Sequence, residues 1–113
     1  MLDSVDEYHA YGDRGLDVVD HLVFFAARDE ASPEDIEDLV SSIRGLRDVV
    51  PSVVDLSVGE DFTGRSGEYT HGIFVRFEDA AGLREYMEHP AHLAVVEKLN
   101  AHTTGLIAVG YEF

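Results

Sequence analysis

The stretch LREYMEHPAHLAVV, residues 83 to 96, places two imidazoles around a proline with a phenol just upstream. Pro90 has no N–H for a helical hydrogen bond and disfavours helical geometry at His89. One helix is therefore expected to stop near Glu88 and another to begin at Pro90. That puts His89 in the N-cap region and His92 in the first turn. Unpaired N–H groups and the positive end of the helix dipole disfavour imidazolium there. His92 should tend to stay neutral near pH 7, as a general base or hydrogen-bond partner must. Tyr86 lies three residues before His89, so the two are expected on one helical face. His92 is thus a candidate for chemistry, with the Tyr86 phenol close by in the chain. His89 is better explained as a cap bonded to backbone.

Two more histidines fall on strand-like segments. In YTHGIFVRF a two-residue period aligns Tyr69, His71, Ile73, Val75 and Phe77, and in DHLVFF it aligns His21, Val23 and Phe25. If these faces meet the helices, His21 and His71 join His92 and Tyr86 in one apolar cleft, as substrate-binding groups. A mostly apolar pocket with a few polar groups is the usual form of a small-molecule site. The competing reading makes them core histidines bonded within the sheet.

Other chemistries fit less well. His89-x-x-His92 straddles a proline, and structural zinc prefers thiolates, which this cysteine-free chain lacks; no metal site is expected. Gly64 to Gly67, GRSG, is too short for a phosphate loop and has no strand–glycine–helix context, and no cofactor is expected. Arg76, on the face opposite His71, reads as a salt-bridge residue. His102 reads as a partner for a helix C-terminus.

The elements that must position these groups are legible in order. DVVDHLVFFAA is β-branched, aromatic and nearly continuously apolar, a buried strand. SPEDIEDLVSSIRGL is a helix with Ser32 as N-cap, Pro33 in the first turn and Asp35 three after the cap. Its apolar stripe is Ile36, Leu39, Val40, Ile43 and Leu46. SVVDLSV is a second strand alternating Val54, Leu56 and Val58 against Val53, Asp55 and Ser57. A glycine-bearing loop, GEDFTGRSGE, leads to the third strand, YTHGIFVRF. Asp79 caps a helix to Glu88, a further helix runs from Pro90 to about His102, and GLIAVGYEF closes the chain. The order β-α-β-β-α-β predicts an α+β, ferredoxin-like fold, a four-stranded antiparallel sheet with helices on one face. Residues 17–113 form this domain, and residues 1–16 are expected to be a flexible acidic arm. The first and last strands ask for cover on both faces, while the helices cover one. A second copy laid sheet to sheet, a homodimer with a barrel-like core, resolves this.

Charge narrows the partners. The 113 residues hold 23 acidic and 8 basic side chains, a net charge of −15, and Lys98 is the single lysine. Nucleic acid and anionic membranes both require basic surface, so neither is expected as a partner. The acidic, lysine-poor surface suggests a salt-adapted cytoplasm or a genome that writes arginine for lysine. The absence of cysteine and of any apolar run near the ~20 residues of a membrane helix fits a cytoplasmic protein. The start, MLDSVDEYHAYGDRG, has no signal-peptide pattern.

From about Val18 to Phe113 the chain resembles the stress-responsive dimeric α/β-barrel (Dabb) family. The matching residues are DHLVFF, EYTHGIFVRFED, EYMEHPAH and VGYEF. The family includes plant heat-stable and stress-induced proteins without clear catalysis, and polyketide cyclases of the olivetolic acid cyclase type that perform a cofactor-free aldol condensation. The resemblance implies the fold and the homodimer. It further implies that His92 matches a catalytic histidine, Tyr86 its partner, and His21 and His71 pocket histidines. Two functions follow. One is a cofactor-free cyclase or lyase acting on a polyketide-like or other carbonyl substrate. The other is a non-catalytic homodimer that binds a small apolar or aromatic ligand or protects under stress.

Overall fold

A computed structural model describes residues 18–113; the expected N-terminal arm lies outside the described residues. Seven elements follow in order: β1 (Val19–Ala27), α1 (Pro33–Val49), β2 (Val53–Glu60), β3 (His71–Phe77), α2 (Ala80–Glu88), α3 (Pro90–His102) and β4 (Thr103–Glu112). The strands form one antiparallel sheet in the order β2-β3-β1-β4. This is the ferredoxin-like arrangement, with the second helical segment broken at His89 as Pro90 requires.

Local chemistry sets the helix ends. Ser32 Oγ accepts from Asp35 N at 3.0 Å, and the Asp35 carboxylate accepts from Ser32 N at 3.3 Å, closing a reciprocal capping box. The Asp79 carboxylate caps α2 through Gly82 N at 2.8 Å. At the other end of α3, Thr103 Oγ1 donates back to Leu99 O at 2.6 Å, and the strand begins there, two residues before Gly105.

Alternation sorts the two faces of the sheet. Phe25, Val75 and Phe77 point to the helices and are fully buried beside Leu39, Ile43 and Leu46 of α1 and Val95 and Leu99 of α3. The expected stripe of α1 holds, with Ile36 and Val40 at its half-buried margins. In β2 the alternation expected of Val54, Leu56 and Val58 fails at its first member. A register shift between Val53 and Asp55 inserts an extra residue, so Val53, Leu56 and Val58 meet the core and Val54 is exposed.

The opposite face carries Leu22 and Phe24 of β1, paired with Val109 and Ile107 of β4. Phe24, Ile107, Val109 and Tyr111 are all exposed there. Asp20, buried on this side, receives a bidentate bond from Arg76, at 2.7 Å from Nε and 2.9 Å from Nη2. The guanidinium lies 5.5 Å from the Phe74 ring centre and 5.2 Å from that of Phe113. Arg76 is thus the salt-bridge residue expected.

Candidate functional site

The break at His89 determines where the two histidines point. His89 is extended (φ −68°, ψ 136°), and its Nδ1 accepts from Ala91 N at 3.0 Å. It caps the helix and satisfies one of its orphan donors, as expected. His92, one turn on, faces inward at 9% exposure. Tyr86, at 4% exposure, meets His92 across the break with ring centres 4.4 Å apart, and packs against Phe77 at 5.1 Å on its other side. The expected sharing of a face by Tyr86 and His89 does not hold. Once the chain leaves helical geometry at His89, a three-residue spacing no longer measures a helical face.

The His92 ring is oriented by backbone. Its Nδ1 lies 3.3 Å from Met87 O. A carbonyl only accepts, so Nδ1 carries the proton and Nε2 keeps its lone pair. Burial lowers the His92 pKa from its ordinary value, and the Met87 contact opposes this in part. The imidazole is therefore neutral near pH 7, chiefly by desolvation rather than by the helix terminus to which the sequence argument appealed. Burial pushes the Tyr86 pKa up to about 12, so its hydroxyl stays protonated as a donor. Nothing in the sequence pointed to the Met87 carbonyl, because a backbone acceptor has no residue-type signature.

His21 and His71 stand on the helix side of the sheet, where alternation placed them. His21 pairs across the ladder with Val75 on one side and Gly110 on the other. Its Nδ1 is buried and, among the described residues, has no hydrogen-bond partner. Burial first, and the charge of nearby His92 second, depress its pKa to about 4. His71 stacks on Phe25, ring centres 4.7 Å apart and planes within 3°, and its Nδ1 lies 2.8 Å from Thr70 Oγ1. Burial lowers its pKa too. Thr70 was the missed neighbour here, and its place directly before His71 was the available signal.

The structure thus brings Tyr86 against His92 and puts His21 within electrostatic reach of His92, while His71 lies four ladder pairs further along β1, opposite Phe25. The helical layer stops short of β4. Leu106 and Ala108 pair with Phe25 and Val23, so they share the face of His21, yet both are exposed. Gly110 pairs with His21 on this face, and a Cβ on it would meet the His21 ring at 3.6 Å. A separate cavity of about 700 Å3, bordered by His71, opens under the β2–β3 loop, and neither Tyr86 nor His92 lines it. The four residues therefore do not share one open cavity. Among the described residues no group of three or more histidine and carboxylate ligands could hold a metal ion. No helix there is long and apolar enough to cross a membrane.

Comparison with known proteins agrees with this architecture. Olivetolic acid cyclase of Cannabis sativa is 31% identical over 77 residues, 66% of this chain and 76% of the cyclase. A hydroxynitrile lyase from Passiflora edulis superposes with a TM-score of 0.80 at 18% identity, covering 86% of this chain and 94% of the lyase. A dimeric ferredoxin-like protein of unknown function from Jannaschia superposes at 0.74 with 26% identity, over 85% of this chain and 99% of that one. The family profile described as the stress responsive A/B barrel domain matches residues 19–113. The chain, by fold and by sequence alike, belongs to the stress responsive A/B barrel domain family.

Proposed function

We propose that this protein is a cytoplasmic homodimer that catalyses a cofactor-free lyase or cyclase reaction on a small apolar carbonyl substrate. The observation that carries the reading is the Tyr86–His92 pair. It combines a neutral imidazole, with Nδ1–H held by Met87 and Nε2 bare, and a phenol kept protonated at 4.4 Å between ring centres. Nε2 of His92 removes a proton from the carbon next to a carbonyl, and the Tyr86 hydroxyl donates to the oxygen on which the enolate charge develops. The resulting carbon nucleophile closes a ring onto a second carbonyl of the same substrate; run in reverse, the same base and donor support cleavage. His21, with its unpartnered Nδ1, supplies a polar contact beside the pair. Relatives named as a cyclase and a lyase support this class of chemistry. The open apolar sheet face, and the description of a solved relative as dimeric, support the second copy.

Deuterium exchange at the carbon between the carbonyls of an alkyl β-diketone, followed by NMR, tests the chemistry. The wild type should accelerate exchange, and His92→Ala should lose about 10²–10⁴-fold of it while remaining folded. Exchange equal in the two proteins sinks the proposal. Sedimentation should give roughly twice the 12.5 kDa chain mass, and Leu22→Asp on the open face should shift it to the monomer. A non-catalytic ligand-binding homodimer is the second reading. It is favoured by one observation, that Tyr86 and His92 are almost wholly buried and do not line the 700 Å3 cavity.

A further inference from the structure

We infer that the cavity beneath the β2–β3 loop is a second small-molecule site, distinct from the Tyr86–His92 cleft, which takes an uncharged planar aromatic ligand and is closed by the other copy of the chain. It lies at one end of the open sheet face. The register aligns Phe24 of β1 with Gly72 of β3 and Gly59 of β2, so the Phe24 ring, 3.5 Å from where a Gly72 Cβ would stand, and the bare backbone of Gly59 form its floor. The loop supplies the walls. Tyr69 stands with its ring centre 6.4 Å from that of Phe24, and Phe62 projects at 96% exposure.

Gly59 is informative because the fold does not need it, while Gly72 gives room to the Phe24 ring. Neither Gly59 nor Gly72 has a positive φ, and a Cβ on Gly59 would meet nothing within 4 Å. A strand interior gains from a side chain, and a glycine there often marks the close approach of a ligand or another backbone. What their absence of side chains secures is a flat floor in a volume of about 700 Å3, within the usual size of a ligand pocket.

The chemistry of the walls selects the ligand. The Asp61 carboxylate is engaged by Thr63 Oγ1 at 2.7 Å and Gly64 N at 2.9 Å, and Ser66 Oγ donates to Tyr69 O at 2.6 Å. These bonds stiffen the loop and engage Asp61, Thr63 and Ser66 within it. Phe24, Phe62 and Tyr69 offer a ligand ring faces, which suit a planar aromatic body, and the Glu60 and Arg65 side chains that also line the cavity carry opposite charges. A net charge of −15 works against an anion.

Closure follows from continuity. The floor runs on into the exposed apolar surface of Phe24, Ile107 and Val109, the surface a second copy covers in the homodimer proposed above. The site rests on that dimer and not on the proposed chemistry, since neither Tyr86 nor His92 borders it.

Fluorescence titration of the full-length protein with 2-naphthol tests the inference. Saturable binding of one naphthol per protomer is expected. Gly59→Val, which fills the floor, and Phe62→Ala, which removes a wall without touching the core, should each weaken binding tenfold or more. His92→Ala should bind naphthol as the wild type does. Absence of saturable binding overturns the proposal. So does binding that survives both substitutions, or that falls with His92→Ala alone, which puts the probe in the helix-side cleft. Should Gly59→Val fail to fold, Phe62→Ala carries the test. Sedimentation of the same samples separates the two readings: a monomeric wild type overturns closure by a second copy, whatever the exchange assay returns.

Discussion

Acid should unfold this protein through His21, and the size of the effect follows from its surroundings. The side chain titrates at about 4 in the folded protein against an ordinary 6.5. Between these values the unfolded chain binds the proton and the folded chain does not, so falling pH favours unfolding. The contribution is fully present above the unfolded value of 6.5 and is lost as pH falls towards the folded value near 4. With those two constants the loss is about 2 kcal/mol at pH 5 and about 3 kcal/mol at pH 4, a large part of the ~5–15 kcal/mol stability of a small domain. The net charge of −15 acts in the opposite direction, because protonating carboxylates relieves self-repulsion. A substitution is therefore needed to isolate the imidazole, and His21→Gln keeps a polar side chain that does not titrate. Urea unfolding at fixed protein concentration, at pH about 7.5 and about 5, should show the wild type losing about 2 kcal/mol more than His21→Gln between the two conditions. The depressed His71 and His92 add losses in the same direction that both proteins share. Equal losses in the two proteins refute the claim that burial and His92 hold His21 neutral.

His89→Ala should lower stability by about 0.5–2 kcal/mol, as loss of an N-cap does, while leaving deuterium exchange by the surviving fold within a few-fold of wild type. Chemical denaturation and exchange on one sample check both, and a loss of exchange as deep as that of His92→Ala contradicts the assignment of His89 to capping alone. Ser32→Ala removes one of the two bonds of the capping box, that from Asp35 N to Ser32 Oγ, and should cost about 1 kcal/mol in the same denaturation experiment. Potassium chloride should raise the melting temperature, most steeply at low ionic strength, since the Debye length is about 10 Å at 0.1 M. A flat or falling dependence, followed by circular dichroism, shows that the acidic surface is neutralised locally, as Asp20 is by Arg76 and Asp38 by Lys98.

What could be read from the sequence was what short-range chemistry determines. Ser32 with Asp35, Asp79, and the prolines at 33 and 90 mark helix ends because a cap or a missing N–H acts within three or four residues. The sides taken by His21 and His71 follow from a two-residue period that nothing interrupts in β1 or β3. Each miss arose where that local rule met a distant constraint. Val54 lost its expected place because β2 must match β3 across a bulge, and a strand read alone contains no register. The helical face expected to join Tyr86 and His89 was lost because the chain leaves helical geometry at His89, and Tyr86 meets His92 through space across that break.

The same limit explains why the two proposed sites differ in legibility. The Tyr86–His92 pair is announced by residue types that can do chemistry, and its sequence context was enough to nominate it. The cavity on the other side of the sheet is announced by residues with no functional group. Gly59 and Gly72 are 13 positions apart and signify nothing until the ladder sets them side by side next to Phe24. Phe62, read along the chain, is one apolar residue in a polar loop. Only when Asp61 is seen gripping Thr63 and Gly64 does its exposure become a held position rather than a loose one. A side chain of that size held out in water costs hydrophobic free energy unless something covers it. In a homodimer built on the adjacent sheet face, that cover comes from the second copy or from the ligand enclosed between the two.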